Sequence, residues 1–134
     1  MDKPRESLAL SVSIECDLER AYDFLSKPEN FPQWASGLAG ALRKIDGQWL
    51  AETPEGPMPV RFSEHNAYGV LDHWVYPRPD VQIYIPLRVV ANGSGCELTL
   101  TLFRLPGMTD EKFSADAAWV KRDLATAKRL LDEQ

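Results

Sequence analysis

TDEKFSADAAWVKRDLATAKRLLDEQ, residues 109–134, is the stretch whose pattern decides the fold. Phe113, Ala117, Val120, Leu124, Ala127 and Leu131 recur at alternating spacings of four and three, which lines them along one face of a 3.6-residue helix. Thr109 offers an N-cap, and Asp110 and Glu111 put acids in the first turn. Lys121, Arg122, Lys128 and Arg129 fall late, where cations complement the helix dipole. A helix of about 24 residues is roughly 36 Å long and needs a large apolar partner. The segments before it supply one, because they read as short strands separated by turns.

Leu8 to Ile14 alternate large with small or polar residues, the pattern of a half-buried strand. Asp17 can cap a short helix with Leu18, Ala21, Tyr22 and Leu25 on its inner face. Pro28 ends that helix, and Phe31, Pro32 and Trp34 lie in a second short one that runs out at Gly37 and Gly40. Strands are expected at 41–45 and 48–52 around the hairpin signal Asp46-Gly47, then at 60–64, 70–76, 81–91 and 97–105. Turns fall at Pro54 to Pro57, Asn66 to Gly69, Pro77 to Asp80 and Asn92 to Gly95. Short turns between consecutive strands imply an antiparallel meander, one face of which the long helix covers. The result is a two-layer α+β domain. Pro86, in the middle of the strand 81–91, cannot donate to a ladder, so a bulge, bend or edge is expected there. Ile83 and Ile85 fall on the inner face, and the face of Arg88 stays open.

The chain has 134 residues, enough for one domain with a substantial core. Its net charge of -5 and scattered basic residues argue against a nucleic-acid partner. No apolar run approaches the roughly 20 residues that span a bilayer, and the N-terminus lacks the apolar core of a secretory signal, so a cytoplasmic protein is expected. Cys16 and Cys96 form no metal-type pair and read as buried free thiols.

The stretches Val12 to Trp34 (VSIECDLERAYDFLSKPENFPQW), the Asp46-Gly47 hairpin and Gly95 to Met108 (GCELTLTLFRLPGM) leading into the long helix resemble the START-like superfamily. That group, also called SRPBCC, takes in Bet v 1-like, polyketide cyclase/dehydrase and lipid-transport proteins. The resemblance covers nearly the whole chain. It implies a helix-grip: a seven-stranded antiparallel sheet curved around a long C-terminal helix, with two short helices between strands 1 and 2. It also implies a cavity between sheet and helix for a small hydrophobic molecule, and antiparallel neighbouring first and last strands that bring Cys16 toward Cys96. Such folds host carriers, cyclases and a co-chaperone domain, so fold alone does not decide function. No metal or cofactor is expected.

The cavity-lining candidates are Trp34, Phe62, Asp72, Trp74, Ile83, Ile85, Phe113, Ala117 and Val120. Neighbours on a strand face opposite ways. If Trp74 points into the cavity, Asp72 does too, and His73 points away. A buried Asp72 would need an Arg or Tyr donor, and with a pKa raised by desolvation it would be the candidate general base or ligand anchor. His65 reads as a solvated turn residue. No nucleophile elbow or phosphate loop is present. Three functions remain: a binding protein for a small apolar ligand, a cyclase-like enzyme using Asp72 or a Tyr, and a ligand-free interaction module. The last would use an outer patch from Tyr84, Val90 and Phe103, which could also serve a homodimer.

Overall fold

A computed structural model describes residues 3–35 and 41–133. The expected second short helix forms at Phe31–Trp34, and its expected end at Gly37 and Gly40 lies outside the described residues. The element order is β1 (Ser7–Ile14), α1 (Leu18–Leu25), a 3-10 turn (Pro28–Asn30), α2 (Phe31–Trp34), β2 (Leu42–Ile45), β3 (Gln48–Thr53), β4 (Gly56–Phe62), β5 (His73–Arg78), β6 (Val81–Ile85), β7 (Leu87–Asn92), β8 (Gly95–Phe103) and α3 (Asp110–Asp132). All strand pairs are antiparallel. The strands form one set ordered β1-β8-β7 and another ordered β2-β3-β4-β5-β6.

The expected α+β helix-grip is the observed fold, with eight strands among the described residues rather than seven. Pro86 causes the difference. It splits the expected strand 81–91 into β6, which pairs with β5, and β7, which pairs with β8. The Thr101 N–H donates to the Pro86 carbonyl at 3.0 Å, keeping the two sets joined at the corner. Other bounds move for similar reasons. β4 begins at Gly56 and includes Pro57 and Pro59, but β5 pairs with it only from Val60 onward, so the prolines occupy a stretch with one open side. Asp46 and Gly47 have φ of 51° and 79°, the double left-handed turn that the Asp-Gly signal demands.

α3 forms as expected, and both its ends are tied down. Thr109 Oγ1 accepts from the Lys112 N–H at 3.1 Å. Arg104 pairs with Asp110 at 2.6 Å and donates to the Met108 carbonyl at 2.9 Å. At the far end the Glu15 N–H donates to Asp132 at 2.7 Å, and Lys128 Nζ donates to the Ser13 carbonyl at 2.9 Å. These last bonds fasten the helix to the end of β1.

The core is lopsided. α3 packs mainly on β1, with α2 and β8 beside it. Leu98, Leu100, Leu124, Ala127 and Leu131 are buried in that half. Under the five-stranded set the buried cluster among the described residues is Ala51, Val60 and Val75. Cys16 and Cys96 are both buried free thiols, and burial pushes the Cys96 thiol up to about 11. Among the described residues no helix is long and apolar enough to cross a membrane.

The loop before β5 is held against β7 at Gly69, whose carbonyl accepts from the Val89 N–H at 3.0 Å. Gly69 has φ of +71°, and a Cβ there would lie 2.0 Å from the Val89 carbonyl oxygen. Gly69→Ala should therefore lower stability by about 2 kcal/mol or more, read as a drop in the urea midpoint. A midpoint equal to wild type would show that the loop can move aside freely.

Candidate functional site

Because α3 sits over β1 and β8, it stands off from β5 and β6 and leaves a cavity of about 380 Å³. Val75, Ile83 and Ile85 form the sheet wall, Leu100 and Leu102 come from β8, and Val120 and Leu124 from α3. α2 closes one side with Phe31 and Trp34, which are three residues apart and share a helix face. Lys112 and Asp116 stand at the rim, paired with each other at 2.7 Å. A larger concavity of about 870 Å³ lies between α1, the loop 66–69 and β7, with Tyr68 82% exposed on it, and both spaces are partly open to solvent.

The cross-strand register settles which residues face inward. His73 is opposite Ile85 and Val75 opposite Ile83, while Trp74 is opposite Tyr84. His73 and Val75 therefore line the cavity with the two isoleucines. Trp74 faces the other way, stacked on Tyr84 with ring centroids 5.4 Å apart and with the Arg61 guanidinium 3.9 Å from its own centroid. The expected parity of Trp74 and His73 is thus reversed. Leu71, His73 and Val75 are the buried row, and the alternation Leu-Asp-His-Trp-Val contained that signal. The size of the Trp74 ring outweighed it in the sequence reading.

Asp72 is buried but does not line the cavity. Its Oδ1 accepts from the Leu87 N–H at 2.9 Å and from Arg88 Nε at 2.9 Å. Oδ2 accepts from Arg88 Nη2 at 2.8 Å and from the Tyr84 hydroxyl at 2.5 Å. The donors expected for a buried Asp are present, and Arg88 falls on the outer face. The expected raised pKa is not found. Burial pushes it up, but the hydrogen bonds from Arg88, Tyr84 and Leu87 together outweigh burial and hold the carboxyl below its ordinary value. An ionised carboxylate with four donors is a clasp at the sheet corner, with no lone pair poised to take a substrate proton.

Of the other candidates, Trp34, Ile83, Ile85 and Val120 line the cavity. Phe62 sits behind it, with its ring 5.3 Å from Phe31 and 6.0 Å from His73. Phe113 and Ala117 are buried on α3 away from the wall, Phe113 under the Arg104 guanidinium. Phe103 lies at the cavity edge, stacked on Tyr84, while Val90 is exposed. His65 is exposed and meets Tyr22 edge-on. Among the described residues no group of three His, Cys, Asp or Glu could hold a metal.

His73 is the polar group that the sequence reading missed. It is 3% exposed, and burial drives its pKa down from 6.5 to about 4, so the ring is neutral at pH 7. Its Nδ1 lies 3.4 Å from the Leu71 carbonyl oxygen. A carbonyl only accepts, so that nitrogen carries the proton. The Trp34 indole is 3% exposed, and among the described residues its N–H has no hydrogen-bond partner.

No family model matches this sequence, and no curated protein sequence matches it. Solved structures do match its fold. The Aha1 dimer from Colwellia psychrerythraea superposes with a TM-score of 0.71 at 11% identity, covering 95% of this chain and 96% of that one. Ara h 8.0201 gives 0.69 at 7% identity, with 96% and 99% covered. A START superfamily protein from Mycobacterium smegmatis gives 0.65 at 10% identity, with 95% and 97% covered. Identities this low establish the fold alone: the chain has the START-like, Bet v 1-like helix-grip fold.

Two expectations follow. Between pH 6.5 and 4 the unfolded chain protonates His73 while the folded chain does not, so stability falls as pH drops through that window. The loss attributable to this ring is about 3 kcal/mol. His73→Phe should flatten that part of the denaturation-midpoint profile, and an unchanged slope would refute the assignment. Asp72→Ala strands the buried Leu87 N–H and unclasps the corner, costing about 2–3 kcal/mol by urea unfolding.

Proposed function

We propose that this protein binds a small, largely apolar molecule in the cavity between β5, β6, β8 and α3. One observation carries the reading: a space of about 380 Å³ with Val75, Ile83, Ile85, Leu100, Val120 and Leu124 in its walls. That volume is in the range of small-molecule sites, and the charged residues of its lining, Lys112, Asp116 and Asp123, all come from α3. A packed core of this composition would close such a space, because each lost dispersion contact costs stability. The shared fold supports the same reading, since the START-like resemblance implies a ligand cavity there. The cyclase-like alternative built on Asp72 draws no support from a carboxylate saturated by Arg88, Tyr84 and Leu87.

The test is titration of the purified protein with an environment-sensitive apolar dye such as anilinonaphthalene sulfonate. Saturable one-to-one binding with a blue-shifted emission is expected. Val120→Trp places an indole in the cavity and should weaken binding by about tenfold or more. Ile45→Thr, at an exposed β2 residue outside the cavity, should change the affinity by no more than about twofold. Dye binding insensitive to Val120→Trp would overturn the reading.

A further inference from the structure

Besides Tyr84, Thr101 and the α3 residues Lys112, Asp116 and Asp123, the polar groups of the lining are Trp34 and His73, where α2 and β5 meet. Trp34 and His73 both line the cavity, and both pack edge-on against Phe31, with ring centroids 5.3 Å and 5.2 Å away. The Trp34 indole can only donate, and among the described residues its N–H is unpartnered although the side chain is buried. His73 is its chemical complement. With Nδ1 protonated toward the Leu71 carbonyl, Nε2 can only accept. The Tyr84 hydroxyl is engaged at Asp72, and Lys112 is engaged by Asp116 at the rim. Trp34 and His73 thus offer one donor and one acceptor on a common aromatic wall.

A buried N–H left unpaired costs free energy, so the site favours an occupant that accepts from Trp34. A ketone or ether meets that need and leaves His73 Nε2 without a donor. A carboxylate turns its own lone pairs on Nε2 and brings an unpaired charge into an apolar space. A hydroxyl meets both needs, accepting through its oxygen and donating its proton. We propose that the ligand is an apolar molecule bearing a hydroxyl group, a phenol or an alcohol, bound with that hydroxyl between the indole N–H of Trp34 and Nε2 of His73. The inference rests on the cavity-binding reading and adds the polar chemistry of the occupant.

Three probes of nearly equal shape test it near pH 7: 1-naphthol, 1-methoxynaphthalene, which accepts but cannot donate, and naphthalene, which does neither. Wild-type protein should bind naphthol about tenfold or more tighter than naphthalene, with the methyl ether weaker than naphthol. In Trp34→Phe the ratio of naphthol to naphthalene affinity should shrink to about threefold or less. His73→Phe should bring naphthol and its methyl ether together. Should either variant fail to fold, the wild-type Trp34 indole N–H resonance, assigned by its contacts to Phe31, supplies the test. It should move on adding naphthol and stay with naphthalene. If all three probes bind equally, the hydroxyl inference is overturned and the cavity reading stands. If none binds, both fall. If naphthol and its ether bind alike and tighter than naphthalene, the role of His73 is overturned.

Discussion

A single missing hydrogen-bond donor organises this molecule. Pro86 has no N–H, so the ladder cannot run through it. The chain leaves β5 as a partner at Ile85 and takes β8 as a partner at Leu87. A corner of this kind exposes backbone groups that would otherwise be paired, and Asp72 answers that need. Its carboxylate takes the Leu87 N–H and draws Arg88 and Tyr84 onto the same two oxygens. The clasp lies on the far side of the sheet from the cavity. It holds the turn whose inner side supplies Ile83 and Ile85 to the wall. The carboxylate that the sequence offers as a chemical group is thus spent on geometry.

The corner sets up the unequal packing of the two halves. One half holds β1, β8 and β7, covered by α3 over β1 and β8 and by α1 over β7, with a continuous buried cluster from Ile14 to Leu131. The other half curves away from α3, and its buried residues are few. Fastening α3 at Arg104 and again at Asp132 keeps it against the first half. A helix fixed at both ends cannot tilt down to fill the remaining space. The cavity follows from anchoring and curvature together, and from walls of Val, Ile and Leu that stop short of meeting.

Much of the fold is legible in the chain because its signals are local. The spacing from Phe113 to Leu131, the caps Thr109 and Asp17, and the Asp46-Gly47 turn act over a few residues, and all have their expected outcomes. Pro86 is legible as a break, since the absence of a donor is a property of the residue itself. The cavity candidates divide more sharply. Trp34, Ile83, Ile85 and Val120 lie in the wall. Asp72 and Trp74 do not, and His73 does.

That division has one physical cause. Alternation along a strand sorts side chains into two faces and cannot say which is buried. For residues 71–75 either parity offers large rings, and a tryptophan is the more persuasive core residue than a histidine. The choice is made by pairing with β6, which puts Ile85 beside His73 and Ile83 beside Val75, and by Arg61 and Tyr84 receiving Trp74 on the outer side. The helix, the turns and the order of strands belong to the amino-acid sequence, because they rest on contacts between near neighbours. The inward face of β5, the clasp on Asp72 and the donor–acceptor pair of Trp34 and His73 belong to the assembled fold, because each depends on residues brought together from distant parts of the chain.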